Sequence, residues 1–263
     1  MVAQDECSGS LEAHATLQGP LSDNVPFEGT MDGIKGIIFD LDGTLIDSIS
    51  VLVQAFNETI EPFGLEPVTT DRLWPLLDGS RRMHDFLLEL SPTFFSHEDI
   101  RQKCQDGVRE AYFRLAKDTV QLMPGAKDVL ALCRHKGLKV GVVTARLSSG
   151  ERKWLEIRRL GIADLIDAMV TGAEAPRKPA PDGIFKCLEE LGLSPEESVY
   201  IGDTHVDIIA ARRANMKVIA VRTEFYDRTL LAAENPTMII DNLMQLSDVI
   251  SELSDESGTT PTP

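Results

Sequence analysis

Two aspartates stand one residue apart at the end of an apolar run, in the stretch IIFDLDGT at residues 37–44. In extended chain, positions two apart face the same way, so Asp40 and Asp42 would present neighbouring carboxylates. Such a pair repels unless a cation or a shared proton compensates, which points to metal binding or to paired acid and base work. Other chemistry-bearing residues fall in the same kind of place. Thr144 follows VGVV, Lys178 lies in the Pro-rich loop GAEAPRKPAPD after AMVT, Asp203 follows VYIG, and Asp207 comes four residues later.

Each residue also has a purely structural reading. Asp42-Gly43 suits an ordinary turn, although a turn gives no reason for Asp40. Thr144 could be a strand-end or capping hydroxyl, and Lys178 a solvated loop lysine in a loop stiffened by Pro176, Pro179 and Pro181. Thr204 with Asp207 three residues on has the form of a helix capping box, which accounts for Asp207 and leaves Asp203 unexplained.

The elements that must position these groups are legible as short apolar, β-branched runs: GIIF (36–39), KVGVV (139–143), AMVT (168–171), SVYI (198–201), KVIAV (217–221) and TMII (237–240). Continuous runs of this kind suit strands buried on both faces of a parallel sheet. Helical patterns lie between the later ones, at 124–136 and 180–191. The first two runs are about 100 residues apart, where a βαβ unit needs only about 30. That interval reads as amphipathic helices over 49–60, 71–90 and 97–118 with no convincing strand, and MPG at 123–125 marks the return to the core. In an open α/β sheet, ligands bind at the carboxyl ends of the strands, so the strand-end residues would converge on one edge.

The stretches DLDGTL (40–45), VVTAR (142–146), RKPAPD (177–182) and GDTHVD (202–207) resemble, in that order, the four motifs of the haloacid dehalogenase superfamily. The helical insertion resembles the type 1 cap of its phosphoglycolate phosphatase and β-phosphoglucomutase-like branch, and the resemblance spans residues 34–250. It implies an α/β fold, a Rossmann-like parallel sheet core at 34–48 and 123–250 with an inserted α-helical cap at 49–122. It also implies a Mg²⁺-dependent phosphatase for a small phosphorylated metabolite, phosphoglycolate or a sugar phosphate, acting through an aspartyl-phosphate. Asp40 would be the nucleophile, and Asp42 the general acid and then base. Mg²⁺ would be held by Asp40, the backbone carbonyl of Asp42 and Asp203, with Asp207 a ligand or a support behind one. Lys178 would lie across nucleophile and phosphoryl group, while Thr144 and backbone N–H groups near Asp42 and Gly43 would bind phosphoryl oxygens.

Within the superfamily, Asp42 tells against the metal-free dehalogenases. The absence of lysine between Lys35 and Lys103 tells against Schiff-base cleavage of carbon–phosphorus bonds. The second motif departs from the branch by reading TAR where Thr-Asn-Lys is common, so Arg146 either contacts substrate or caps the following helix. Arg81, Arg82 and His84, in the cap segment LLDGSRRMHDF (76–86), are candidates for reading the leaving group, with a solvated helix face as the alternative. The rival functions are a β-phosphoglucomutase-like phosphosugar mutase and a non-catalytic metabolite-binding protein.

Bulk properties set the remaining expectations. The formal charge of −16 is concentrated at the termini: residues 1–30 hold Asp5, Glu6, Glu12, Asp23 and Glu28 without a Lys or Arg, and Glu252, Asp255 and Glu256 close the chain. Nothing in this balance favours nucleic acid or an anionic membrane. Four scattered cysteines without a C-x-x-C pair suit reduced thiols in a cytoplasmic protein, and no apolar run approaches a membrane span. Polar, Gly/Ser-rich residues 1–33 and residues 251–263 are expected to be disordered tails, and the chain to act as a monomer or homodimer.

Overall fold

The structure, a computed structural model, describes residues 33–77, 81–223, 226 and 228–252. The expected disordered tails lie almost wholly outside the described residues, as do Cys7 and His14. The chain runs through β1 (Gly36–Phe39), β2 (Ile46–Asp47), α1 (Ile49–Ile60), α2 (Thr70–Leu77), α3 (Met83–Leu90), α4 (Pro92–Phe95), α5 (Glu98–Thr119), β3 (Gln121–Leu122), α6 (Ala126–His135) and β4 (Lys139–Thr144). It continues through α7 (Arg152–Arg159), β5 (Ala168–Thr171), α8 (Asp182–Leu191), β6 (Ser198–Gly202), α9 (His205–Arg213), β7 (Lys217–Val221), α10 (Arg228–Ala233), β8 (Met238–Ile240) and α11 (Leu243–Glu252).

Six strands form one parallel sheet in the order β5-β4-β1-β6-β7-β8. This is the α/β architecture the apolar runs require: β1, β5 and β6 are buried along their whole length because helices cover both faces. β1 sits at the centre, with Gly36 opposite both Lys139 of β4 and Ser198 of β6. Ile38, Val170, Ile184, Cys187, Leu188 and Tyr200 belong to the core beneath α8. Gly141 allows α8 to lie close against β4, since a Cβ there would meet the Cys187 sulfur at 2.5 Å.

Between β1 and β4 the chain builds a second, helical layer with its own core of Phe56, Ile60, Leu73, Phe86, Phe95 and Val108. Phe56 and Phe86 meet edge to face at 5.6 Å. Two details differ from the sequence expectation. The single helix expected over 71–90 is two, α2 and α3, because Arg82 has extended backbone (φ −88, ψ 143) that no continuous helix can accommodate. The interval expected to lack strands is bracketed by β2 and β3, which pair antiparallel with Ile46 opposite Leu122 and Asp47 opposite Gln121. Entry to and exit from the insertion are thereby tied together. No helix among the described residues is long and apolar enough to cross a membrane.

Candidate active site

The strand-end residues gather at the carboxyl edge of the sheet. Asp40 prolongs β1, its backbone N–H donating to the Ile201 carbonyl at 2.8 Å, so its side chain is anchored to the sheet frame. The next residues turn sharply. Gly43 has φ +88, and its N–H donates to the Ile46 carbonyl at 2.9 Å. The turn and the site occupy the same residues: a Cβ on Gly43 would fall 2.6 Å from Asp203 Oδ2, so only glycine lets that carboxylate approach.

Lys178 is buried beneath this edge. Its ammonium donates to Asp40 Oδ1 and, at 2.6 Å, to Asp207 Oδ1, with Tyr200 Oη at 3.3 Å and the Val143 carbonyl at 3.4 Å. The other oxygen of Asp207 accepts from the Thr204 N–H at 3.1 Å and the Thr204 hydroxyl at 2.5 Å. The capping box read from the sequence is therefore present at the start of α9, and Asp207 also faces Lys178. Among the described residues the Asp203 carboxylate accepts one hydrogen bond, from Thr44 Oγ1 to Oδ1 at 2.7 Å. Its Oδ2 is buried without a partner.

Carboxylate oxygens of Asp40, Asp203 and Asp207 all lie within 4.8 Å of one another. Three buried acids share one ammonium, and the crowding shows in Asp40 and Asp203. Burial pushes Asp40 up to about 7, working with the nearby Asp207 and Asp42 charges against the opposing pull of Lys178. Burial, together with Asp40 and Asp207, raises Asp203 well above the carboxylate range. Lys178 is held protonated: burial opposes its charge, but Asp207 and Asp40 more than offset that. A divalent cation fits this arrangement on two counts, the all-oxygen donor set and the orphaned Asp203 Oδ2.

Removing the ammonium exposes the imbalance. Lys178→Met is expected to destabilise the metal-free protein by roughly 3–5 kcal/mol at pH 8, because the acids lose the cation that, among the described residues, pairs with Asp40. The loss should shrink at pH 5, where the raised carboxyls are protonated. Urea unfolding midpoints at the two pH values check both the size and the direction.

Asp42 has a separate cation. Arg146 reaches it with Nε at 3.1 and 2.8 Å from the two carboxylate oxygens and Nη2 at 2.6 Å. Ser48 Oγ donates to Asp42 at 2.5 Å and Thr144 Oγ1 at 3.3 Å. Burial works against the Asp42 charge, yet the Arg146 guanidinium and the bonds from Arg146, Ser48 and Thr144 hold it below the ordinary carboxylate value. The adjacent carboxylates are thus compensated by two different cations rather than by a shared proton.

Arg146 does not cap α7, whose N-cap is Glu151. It also bonds Glu156 on α7 and, at 2.5 Å, the hydroxyl of Tyr112 on α5, with its guanidinium 5.1 Å from the Tyr112 ring centre. Sequence reasoning missed the partners Ser48, Tyr112, Glu156 and Tyr200. The partners of Arg146 lie 10, 34 and 104 residues away, a separation no local pattern reports.

The remaining candidates are dispersed. Arg81 lines the cavity above the site but is paired with Glu89. Arg82 is exposed at the start of α3, and His84 pairs with Asp85 at 2.9 Å on the surface. Residues 78–80 of that cap segment are outside the described residues. His205 contacts the Tyr226 hydroxyl, and Trp74 packs on the Tyr226 ring at 5.4 Å while lining the cavity. Burial pushes the Cys104 thiol up to about 11 and the Cys133 and Cys187 thiols to about 12, so none of the three offers a thiolate nucleophile.

Residues 37–221 match the haloacid dehalogenase-like hydrolase family. A phosphoglycolate phosphatase of Aquifex aeolicus is 31% identical over 80% of this chain and 98% of its own length. The pyrophosphatase PpaX of Oceanobacillus iheyensis is 25% identical over 83% of this chain and 98% of its own. Among solved structures, a predicted phosphoglycolate phosphatase from Haemophilus somnus 129pt superposes with a TM-score of 0.72 at 23% identity, covering 82% of this chain and 98% of that one. At that identity the likeness concerns the fold.

Proposed function

The chain belongs to the haloacid dehalogenase-like hydrolase family, and from that premise we propose that it is a Mg²⁺-dependent phosphatase of small phosphorylated metabolites acting through an aspartyl-phosphate. The observation that carries the reading is the buried Asp40, Lys178 and Asp203 group at the sheet edge, with one Asp203 oxygen unsatisfied. Relatives named phosphoglycolate phosphatase and pyrophosphatase support the reaction class.

In this reading a carboxylate oxygen of Asp40 attacks phosphorus, and the bond from phosphorus to the ester oxygen breaks. Asp42, ionised while Arg146 is bonded to it, would take up a proton as the substrate phosphate binds and give it to the departing oxygen. It then takes a proton from water, whose oxygen attacks the acyl phosphate, releasing phosphate and restoring both carboxyl groups. Lys178 neutralises the nucleophile and the incoming phosphoryl oxygens. Thr144 and the turn at Gly43 would offer donors to those oxygens. Asp40, Asp203 and the backbone carbonyl of Asp42 would hold Mg²⁺, which supplies the positive charge that lets a carboxylate approach a phosphate dianion. Asp207 is a candidate ligand by position. With both oxygens already engaged, it serves better by orienting Lys178. Arg146 bonds Asp42 directly and sets the orientation of the acid group.

The insertion at 49–122 would act as a cap over the core at 34–48 and 123–250, with Tyr112 linking the two through Arg146. The test is phosphate release from a panel of small phosphomonoesters with Mg²⁺ or with EDTA. Stoichiometric free phosphate that disappears with EDTA is the expected result. Metal-independent release, or isomerised sugar phosphate in place of free phosphate, would overturn it.

A further inference from the structure

The cavity above Asp40 is much larger than the phosphoryl group it would receive. It encloses about 520 Å³, within the range of sites that hold extended small molecules. Away from the catalytic end its wall comes from the helical insertion: Leu52 and Phe56 of α1, Leu73 and Trp74 of α2, Met83 of α3 and Val108 of α5. Several polar groups on the same wall are already engaged. Arg81 is paired with Glu89, Arg109 with Asp106, and Arg146 with Asp42 and Glu156, while Arg152, Arg177 and Gln105 line other parts of the cavity without a side-chain partner among the described residues. Two large apolar side chains with substantial exposure also line this cavity, Phe113 of α5 at 40% and Leu147 of the loop after β4 at 65%.

A polyhydroxylated or carboxylated leaving group placed against the apolar face of α1 and α2 would lose its water without gaining partners there. An apolar one would gain from every carbon it buries. We infer that the substrate is a phosphomonoester whose alcohol portion is apolar and several carbons long, lying along the helical insertion with its phosphoryl end at Asp40. The inference rests on the phosphatase reading above and names the class of ester that reading leaves open. Trp74 and Phe113 give the wall aromatic faces, so the alcohol can be aromatic as well as aliphatic. The apolar face selects by burial rather than by hydroxyl pattern, so along it the enzyme would discriminate by length and hydrophobicity.

The experiment measures phosphate release, with Mg²⁺, from straight-chain monoalkyl phosphates of two to eight carbons, beside phosphoglycolate and glucose 6-phosphate. Expected is a rise in kcat/KM of about 4-fold per added methylene over part of the series, the factor equivalent to about 0.8 kcal/mol. Phe113→Ser, at a half-exposed position where the fold does not depend on the ring, should cut the ratio of long-chain to short-chain kcat/KM by at least about 5-fold. A flat or falling series, with phosphoglycolate or glucose 6-phosphate the best substrate, would overturn the apolar assignment and leave the phosphatase intact. A steep series untouched by Phe113→Ser would overturn the assignment of this wall. No release from any ester above the Asp40→Asn background would instead overturn the phosphatase reading itself.

Discussion

Asp40→Asn should stop turnover and make the metal-free protein more stable, two effects that rarely travel together. Removing a nucleophile typically costs on the order of 10⁴-fold or more in rate, and the residual release should be indistinguishable from a no-enzyme control. The stability effect follows from the charge balance. Asp40, Asp203 and Asp207 crowd around a single ammonium, and burial together with the Asp207 and Asp42 charges raises Asp40 to about 7. At pH 8 the wild type must hold a carboxylate there that the fold disfavours, and the amide relieves it without leaving Lys178 bare, since Asp207 still accepts its hydrogen bond. Thermal melts in EDTA at pH 8 should place the variant at or above the wild type. A mutant that is inactive and also markedly destabilised would mean that Asp40 is chiefly a structural partner of Lys178.

The second large effect concerns the metal and its dependence on pH. A carboxyl whose folded pKa lies above its unfolded value binds protons more tightly when folded. Its contribution is complete below about 4 and is lost as pH rises through the folded value. Asp40 places that loss between about 4 and 7, and Asp203, also raised, works in the same direction. The metal-free protein should therefore lose stability from pH 5 to pH 8, and Mg²⁺ should restore it most where the acids are ionised. At a concentration about 100 times its Kd the ion contributes about 2.7 kcal/mol, or roughly 5–10 °C in Tm for a chain of this size. At pH 5 the shift should shrink toward zero. Asp203→Asn should abolish the shift at pH 8, lower phosphate release about 10³-fold and raise the metal-free Tm. A Mg²⁺ shift of equal size at both pH values, or one that persists in the variant, would place the cation elsewhere.

The sheet was legible because its strands are buried on both faces and therefore uninterrupted: GIIF, AMVT and KVIAV begin and end where the structure begins and ends them. Strand-end position was a sound guide to which polar residues meet. Asp40, Lys178 and Asp203 were singled out from three distant stretches and lie together, while the roles assigned to them remain the proposal. What escaped notice was either too short or too remote in sequence. β2 and β3 are two residues each, and no periodicity exists at that length. The amphipathic pattern of 71–90 runs on past the break at Arg82, because a hydrophobic period does not register a change of backbone direction. Tyr200 looked like one more core residue of SVYI, and only the fold turns its hydroxyl toward Lys178 and Asp207.

The central place of β1 in the sheet governs the order of assembly during synthesis. Gly36 pairs with Lys139 on one side and Ser198 on the other, so the strand that leads into Asp40 leaves the ribosome about a hundred residues before either neighbour exists. At roughly 5–20 residues per second that interval lasts about 5–20 s. The helical insertion needs only contacts within its own length, and it can close its core in that time while β1 waits unpaired. Tying Ile46 to Leu122 then shortens the effective loop between β1 and β4 to residues 40–45 on one side and 123–138, with α6, on the other. The insertion that stands above the site in the finished protein is, during synthesis, the clamp that returns the chain to its first strand.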